Sequence, residues 1–166
     1  LLRSIYEDNN ILLVFKPSNL ATQPGKNLKD SVSQRIEKAY AKSDWVPALV
    51  HRLDKETSGL LLLAKTYKYL QYLQTIWSKN KFNKIYLTGV NAETSWQDWT
   101  YLQDTIYQKR DSEEYAVSAS CSVRTLENKK KSSLLAVCLH TGRKHQIRRQ
   151  LQKRGLVIIG DVKYSG

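Results

Sequence analysis

One carboxylate stands where its neighbours favour chemistry: Asp54, in the stretch His51-Arg52-Leu53-Asp54-Lys55-Glu56-Thr57-Ser58-Gly59. An arginine lies two residues before it and a lysine directly after it, and these cations favour the ionised form of the carboxylate. An ionised carboxylate suits a nucleophile or a general base that works at neutral pH. The alternative interpretation is a salt-bridged surface loop, whose ion pairs would contribute little.

A second group of candidate residues is basic and lies close together near the end of the sequence. Its members are Arg143, Lys144, His145, Arg148, Arg149, Lys153 and Arg154. The whole chain has 27 Lys and Arg against 15 Asp and Glu, a net charge of +12. Such an excess favours a polyanionic partner, most simply nucleic acid, over a small neutral metabolite. A solvated basic helix face is the alternative interpretation of the same residues.

The hydrophobic pattern predicts the elements that position these residues. Asp54 lies in a polar loop that runs into the apolar run 60–64, a buried strand. Helices are predicted at 31–40, 67–77 and 143–154, and strands at 11–15, 60–64, 85–87, 115–126, 132–139 and 156–159. Residues 5–10 are predicted to be a turn, 20–29 a loop and 96–108 irregular strands. These elements predict an α+β fold with a largely antiparallel mixed sheet and flanking helices.

Other chemistries lack their patterns in this sequence. Neither a glycine-rich phosphate loop nor a nucleophile elbow is present. The three histidines do not have metal-site spacing, and Cys121 and Cys138 are expected to be reduced thiols. No apolar stretch reaches the roughly 18 residues of a membrane-spanning helix, and no secretory signal is found. We therefore expect no metal, no membrane and a cytoplasmic location.

Four ordered motifs resemble the RluA-type pseudouridine synthase family. They are Phe15-Lys16-Pro17, His51-Arg52-Leu53-Asp54 with Thr57-Ser58-Gly59, Lys84-Ile85-Tyr86-Leu87, and Thr141-Gly142-Arg143-Lys144-His145-Gln146-Ile147-Arg148 with Gly160-Asp161. The similarity covers residues 6–164. Gln150 stands where the family often has histidine, and Ser165 interrupts the usual Tyr-Gly. Neither departure touches a residue to which the resemblance assigns chemistry.

The resemblance implies conversion of uridine to pseudouridine in structured RNA, rRNA or tRNA, without a cofactor. It makes Asp54 the essential carboxylate, which attacks the sugar or the base or takes a ribose proton. It makes Tyr86 the tyrosine that stacks on the base, and Arg148 the arginine that pairs with the aspartate. It makes Arg52 the side chain that fills the RNA helix when the target nucleotide flips out. The other RNA-binding residues that it implies are His51, Lys84, Arg143, Lys144, His145 and Arg149.

The expected organisation is a single catalytic domain over 1–166, truncated at its C-terminus, acting as a monomer. No S4-type RNA-binding domain is recognised in the given chain. A catalytically silent RNA-binding module with the same fold is the alternative function. The presence of Asp54, Tyr86 and Arg148 together favours the enzyme.

Overall fold

A computed structural model describes residues 2–25 and 30–164 of the chain. Part of the predicted loop at 20–29, and Ser165, therefore lie outside the described residues. The chain divides into two compact units, Leu1–Lys81 and Phe82–Gly166. A single catalytic domain over 1–166 stays a prediction.

The first unit is a four-stranded antiparallel sheet with two helices. Its elements are β1 (Arg3–Glu7), β2 (Ile11–Lys16), α1 (Val32–Ala39), β3 (Ala48–Leu49), β4 (Gly59–Ala64) and α2 (Tyr67–Ser78). The sheet order is β1-β2-β4-β3, so the two most apolar strands are the central ones. Leu12, Val14, Leu61 and Leu63 are at most 2% exposed and form the core of this sheet. Full burial of each such side chain stabilises the fold by about 2 kcal/mol.

Side-chain caps fix both helices of the first unit close to their predicted positions. The Ser31 hydroxyl accepts a hydrogen bond from the Gln34 amide at the start of α1, and Thr66 accepts one from Tyr69 at the start of α2. Each cap satisfies one of the amides that a helix leaves without an internal acceptor, so the first turn is held. The two predicted helices are therefore confirmed to within a residue or two.

The second unit is also a four-stranded antiparallel sheet, with one short helix. Its elements are β5 (Lys84–Val90), β6 (Thr100–Arg110), β7 (Glu113–Lys129), β8 (Ser132–Leu139) and α3 (Gln146–Gln152). The sheet order is β5-β8-β7-β6. Its core includes Val90, Val123, Leu135 and Val137 together with Leu151 of α3. The predicted α+β class is confirmed, and every pair of neighbouring named strands in the two sheets is antiparallel.

Four predicted elements differ from the structure in kind or in extent. Residues 3–7 form β1 rather than a turn, because they pair with the apolar strand β2, and the turn follows at Asp8. Residues 100–110 form the regular strand β6, because every residue of β6 pairs with a residue of β7. The predicted strand at 156–159 is reduced to one isolated bridge, between Val90 and Ile158. The fourth error concerns α3 and is described with the site.

Candidate functional site

Asp54 lies in the loop that leads into β4, as the sequence predicted. Its side chain is half-buried, and the preceding Leu53 is only 7% exposed. The Thr57 amide donates to the Asp54 carbonyl at 3.1 Å, which closes a turn directly after the carboxylate. Gly59 then starts β4 with φ 138°, a conformation that L-residues with a side chain rarely adopt. A buried residue therefore precedes Asp54 and a tight turn follows it.

A fully buried lysine holds the residue next to Asp54. Lys16 ends β2 with 0% exposure, and its Nζ donates to the carbonyls of Pro17 at 2.9 Å, Leu20 at 2.7 Å and Lys55 at 2.9 Å. Three acceptors satisfy all three donors of the ammonium group, which compensates for the loss of water around a buried charge. One side chain thus ties the end of β2 to the Asp54 loop.

Two hydroxyl groups complete this attachment. The buried Thr22 hydroxyl donates to the Leu53 carbonyl at 2.6 Å and accepts from the Leu53 amide at 3.1 Å. The Ser18 hydroxyl donates to the Glu56 carbonyl at 2.6 Å. Together with Lys16, they fix the main chain at the residue before Asp54 and at the two residues after it. We name Lys16, Ser18 and Thr22 the loop clamp.

Electrostatics connects the clamp with the carboxylate. Burial lowers the pKa of Lys16, and the negative charges of Glu56 and Asp54 oppose that change. The ammonium group therefore lies near enough to the Asp54 carboxylate to interact with its charge. The sequence motif contained Lys16, but the role of this side chain was missed. The available signal was strand periodicity, since Lys16 continues the inward positions of Leu12 and Val14.

His51 and Arg52 occupy different environments, although both were predicted to bind RNA. The His51 ring stacks on Trp77 with centroids 4.1 Å apart, and its Nε2 accepts from the Leu62 amide at 3.2 Å. His51 therefore packs within its own unit. Arg52 is exposed, as a residue that reaches a polyanion must be. Their RNA-binding roles stay predictions.

Tyr86 and Lys84 lie on one face of β5, because alternate strand positions share a face. Tyr86 is half-buried and pairs with Val137 of β8, while Lys84 is only 9% exposed and pairs with Leu139. Burial lowers the pKa of Lys84, and the nearby Cys138 thiol opposes this. The ladder with β8 therefore fixes the face of the sheet from which the Tyr86 side chain projects. The roles of both residues stay predictions.

The basic segment forms a shorter helix than predicted. Arg143, Lys144 and His145 precede α3, which begins at Gln146 because His145 has a left-handed backbone, with φ 52°. The Gln146 side chain anchors this start. Its Oε1 accepts from the Thr141 hydroxyl and the Arg143 amide, and its Nε2 donates to Ser120 and to Gln150.

Gln150, which stands where the family often has histidine, is a structural residue here. It has 0% exposure, and its Nε2 donates to the Asp104 carboxylate at 2.8 Å and the Ala119 carbonyl at 3.2 Å. The two glutamines are four residues apart and lie on one helix face. They attach α3 to β6 and β7, although this face carries no apolar signal. Lys144 and Arg143 are exposed, and Arg149 is half-buried.

Arg148 is held by the segment that follows α3. Its Nε donates to Asp161 Oδ2 at 2.7 Å, and its Nη2 donates to Asp161 Oδ1 at 2.7 Å. Hydrogen bonds from Arg148 first, and then from the amides of Lys163 and Tyr164, lower the pKa of Asp161 to about 2. The sequence motif contained Asp161, but no role was assigned to it. The pairing of Arg148 with Asp54 stays a prediction.

Within the described residues, 2–25 and 30–164, no three metal-binding His, Cys, Asp or Glu side chains come together. None of the helices described is both long enough and apolar enough to cross a membrane.

Known proteins with similar sequences share a family. Residues 10–153 match the model of the RNA pseudouridylate synthase family. The ribosomal large subunit pseudouridine synthase D of Borreliella burgdorferi is 30% identical over 97% of the chain and 54% of its own length. The ribosomal large subunit pseudouridine synthase C of Rickettsia bellii is 34% identical over 97% of the chain and 56% of its length. The chain thus spans about half the length of these relatives.

Known structures share the fold. Human RNA pseudouridylate synthase domain containing 4 superposes with a TM-score of 0.81 and 23% identity, covering 98% of the chain and 69% of that protein. Human RNA pseudouridylate synthase domain containing 1 gives a TM-score of 0.80 and 17% identity, covering 100% of the chain and 70% of that protein. At these identities, the likeness concerns the fold alone.

Proposed function

Since the chain belongs to the RluA-type RNA pseudouridylate synthase family, we propose that it isomerises uridine to pseudouridine in RNA. The bond between uracil N1 and ribose C1′ breaks, the base turns, and C5 bonds to C1′ while its proton is lost and N1 gains one. Product and substrate have the same atoms and the same oxidation state. The reaction therefore needs no redox partner, and we propose that it proceeds without a cofactor.

Asp54 is the proposed catalytic carboxylate. The loop clamp is the observation that carries this proposal, because it fixes the main chain on both sides of one carboxylate. Fixing a reacting group before the substrate arrives lowers the entropic cost of reaching the transition state. The three contacts use main-chain atoms of Leu53, Lys55 and Glu56, so none of them consumes the Asp54 carboxylate.

Tyr86 and Arg148 are the other two proposed catalytic residues. Tyr86 is half-buried on a strand that the β5–β8 ladder holds, and a tyrosine offers a flat ring for stacking on a uracil and a hydroxyl for proton transfer. Arg148 is the cation that the resemblance assigns as partner of the carboxylate. A guanidinium matches a carboxylate with two parallel hydrogen bonds and remains charged at every working pH.

RNA is the proposed substrate, and the names of the curated relatives favour ribosomal RNA over transfer RNA. The net charge of +12 supports a polyanion, and the exposed Arg52, Arg143 and Lys144 are suited to phosphate contacts. His51, Lys84, His145 and Arg149 complete the proposed RNA-binding set. These four side chains are buried or half-buried, and we propose that they support the RNA-binding surface. We further propose a cytoplasmic monomer.

Asp54→Asn tests the catalytic proposal. We expect the substitution to abolish pseudouridine formation and to leave RNA affinity within about threefold, because it removes one charge and almost no volume. Release of tritium from RNA labelled at uridine C5 measures the reaction, and filter binding measures affinity. Asp44→Asn, at an exposed carboxylate of the same unit, is the control and should retain the parent rate.

The silent RNA-binding module makes a different prediction for the same assays. It requires that the parent protein bind RNA and release no tritium from any cellular RNA pool. Turnover by Asp54→Asn near the parent rate would contradict the assignment of Asp54 while retaining the family activity.

A further inference from the structure

The segment after residue 160 returns to the start of α3 and binds one edge of a guanidinium. Asp161 contacts Arg148 through Nε and Nη2, both at 2.7 Å, and the side chains are 5% and 14% exposed. Two parallel hydrogen bonds to a carboxylate fix the rotation of the guanidinium in its plane. Asp161 does not bind Nη1, so this contact sets the direction in which Nη1 points.

Main-chain contacts hold Asp161 itself. Its Oδ1 accepts from the amides of Lys163 at 2.9 Å and Tyr164 at 3.2 Å, and its own amide donates to the Ile158 carbonyl at 3.0 Å. Ile159 in turn donates to the Gly89 carbonyl of β5 at 2.9 Å. The carboxylate is therefore attached to the sheet through the main chain and does not depend on Arg148 alone.

The same guanidinium lies over the ring of Tyr164. The Arg148 Cζ atom is 4.9 Å from the ring centroid, and the tyrosine hydroxyl is 2.9 Å from His145 Nδ1. An arginine over an aromatic ring gains cation–π attraction. Asp161 thus restrains the guanidinium at one edge, and the Tyr164 ring provides a second contact.

We propose that Asp161 and Tyr164 are positioning residues that orient Arg148 for its part in uridine isomerisation. This inference rests on the proposed function, because Arg148 has a catalytic role only there. Removing either restraint lets the guanidinium rotate. A catalytic group that is misplaced by about 1 Å costs roughly 100-fold in rate.

The neighbouring pair of Arg154 and Asp104 provides a matched control. Arg154 Nη1 donates to Asp104 Oδ2 at 2.9 Å, and the side chains are 27% and 13% exposed. Both arginines lie in or just after α3, and both carboxylate side chains are mostly buried. Asp104 also accepts from Gln150, so its pair attaches the helix to β6. Asp104→Asn should therefore change stability without acting through Arg148.

The experiment compares Asp161→Asn and Asp104→Asn in the full-length protein, each with and without Arg148→Ala. We expect Asp161→Asn to lower kcat about 30-fold with KM within about threefold, and to have no further effect in the Arg148→Ala background. Asp104→Asn should retain kcat. Tyr164→Leu keeps the contact between Asp161 and Arg148 and should lower kcat about threefold. This variant tests the positioning role if Asp161→Asn fails to fold.

Hydrogen exchange of the Arg148 Nε–H group, followed by NMR, provides a readout that does not need activity. We expect this hydrogen to be protected in the parent and in Asp104→Asn, and to exchange at least tenfold faster in Asp161→Asn. Unchanged protection, or equal rate losses with and without Arg148, would overturn the positioning role. A parent protein without turnover would overturn the proposed function, and the exchange data would still decide whether Asp161 orients Arg148.

Discussion

The Asp54 loop and the Arg148 helix start are held in place by opposite means. In the first unit, the loop clamp binds main-chain atoms around Asp54, through the ammonium group of Lys16 and the hydroxyls of Ser18 and Thr22. In the second unit, Asp161 binds the guanidinium of Arg148 itself. The clamp thus acts through the main chain around Asp54, whereas the guanidinium of Arg148 is itself part of its support.

This difference has a physical basis in the two side chains. A carboxylate that attacks or takes a proton needs its oxygens for the substrate, so its loop must be fixed through the backbone. A guanidinium has five N–H donors, so it can give two to a support and keep others for a second task. Support through main-chain hydrogen bonds depends little on pH or salt, whereas support through an ion pair depends on both.

Lys16→Met should produce the largest change, because it removes the centre of the loop clamp. Three carbonyls lose their donor, each at a cost of 1–3 kcal/mol, while relief from burying a charge offsets part of this. We expect a loss of about 3 kcal/mol in the free energy of unfolding, measured by urea denaturation, and a large loss of activity.

Lys65→Met is the control for this substitution. Lys65 makes a single ion pair with Glu7 at 2.6 Å on the surface of the same unit. Such pairs contribute at most about 1 kcal/mol. Similar losses for the two lysines would contradict the view that the clamp, and not lysine charge in general, holds the first unit.

Acid should weaken the support of Arg148 and leave the Thr22 contacts unchanged. The folded pKa of Asp161, about 2, lies below the ordinary value of 3.8, so its stabilisation is present above pH 3.8 and is lost as pH falls towards 2. The expected contribution is about 2 kcal/mol. Unfolding free energies of the parent and Asp161→Asn, measured from pH 5 to pH 2, should converge at the acid end. A gap independent of pH would mean that Asp161 acts without its charge.

The sequence indicated the proposed catalytic residues more readily than the residues that hold them. Asp54, Tyr86 and Arg148 stand in short local motifs, and the family resemblance of those motifs singles them out. The contact from Lys16 to Lys55 spans 39 residues, and no local pattern reveals which loop a buried lysine will reach. Strand periodicity could have indicated that Lys16 points inward, but not what it binds.

The start of α3 was mispredicted for a similar reason. A non-glycine residue with positive φ is uncommon, so a helix through His145 was the expected outcome. Gln146 and Gln150 are 3% and 0% exposed, but glutamine is usually a surface residue and gives no apolar signal. The polar contacts that replace apolar packing here join residues far apart in the sequence, which a hydrophobic pattern does not encode.

Thr22→Val should give the smallest effect, about 1.5 kcal/mol in the free energy of unfolding. Valine keeps the shape of threonine, so only the two hydrogen bonds to Leu53 are lost. Both main-chain groups of Leu53 then lie buried without the hydroxyl, and the residue before Asp54 gains freedom.

Thr75→Val is the control, because the Thr75 hydroxyl donates to the Gln71 carbonyl on an exposed helix face. We expect Thr75→Val to change stability by less than about 0.5 kcal/mol and to leave turnover unchanged. If the clamp positions Asp54, Thr22→Val lowers kcat while KM stays constant, since RNA contacts elsewhere are intact. A loss of stability with parent kcat would make Thr22 a support of the fold alone, and would leave Lys16 and Ser18 as the residues that position the carboxylate.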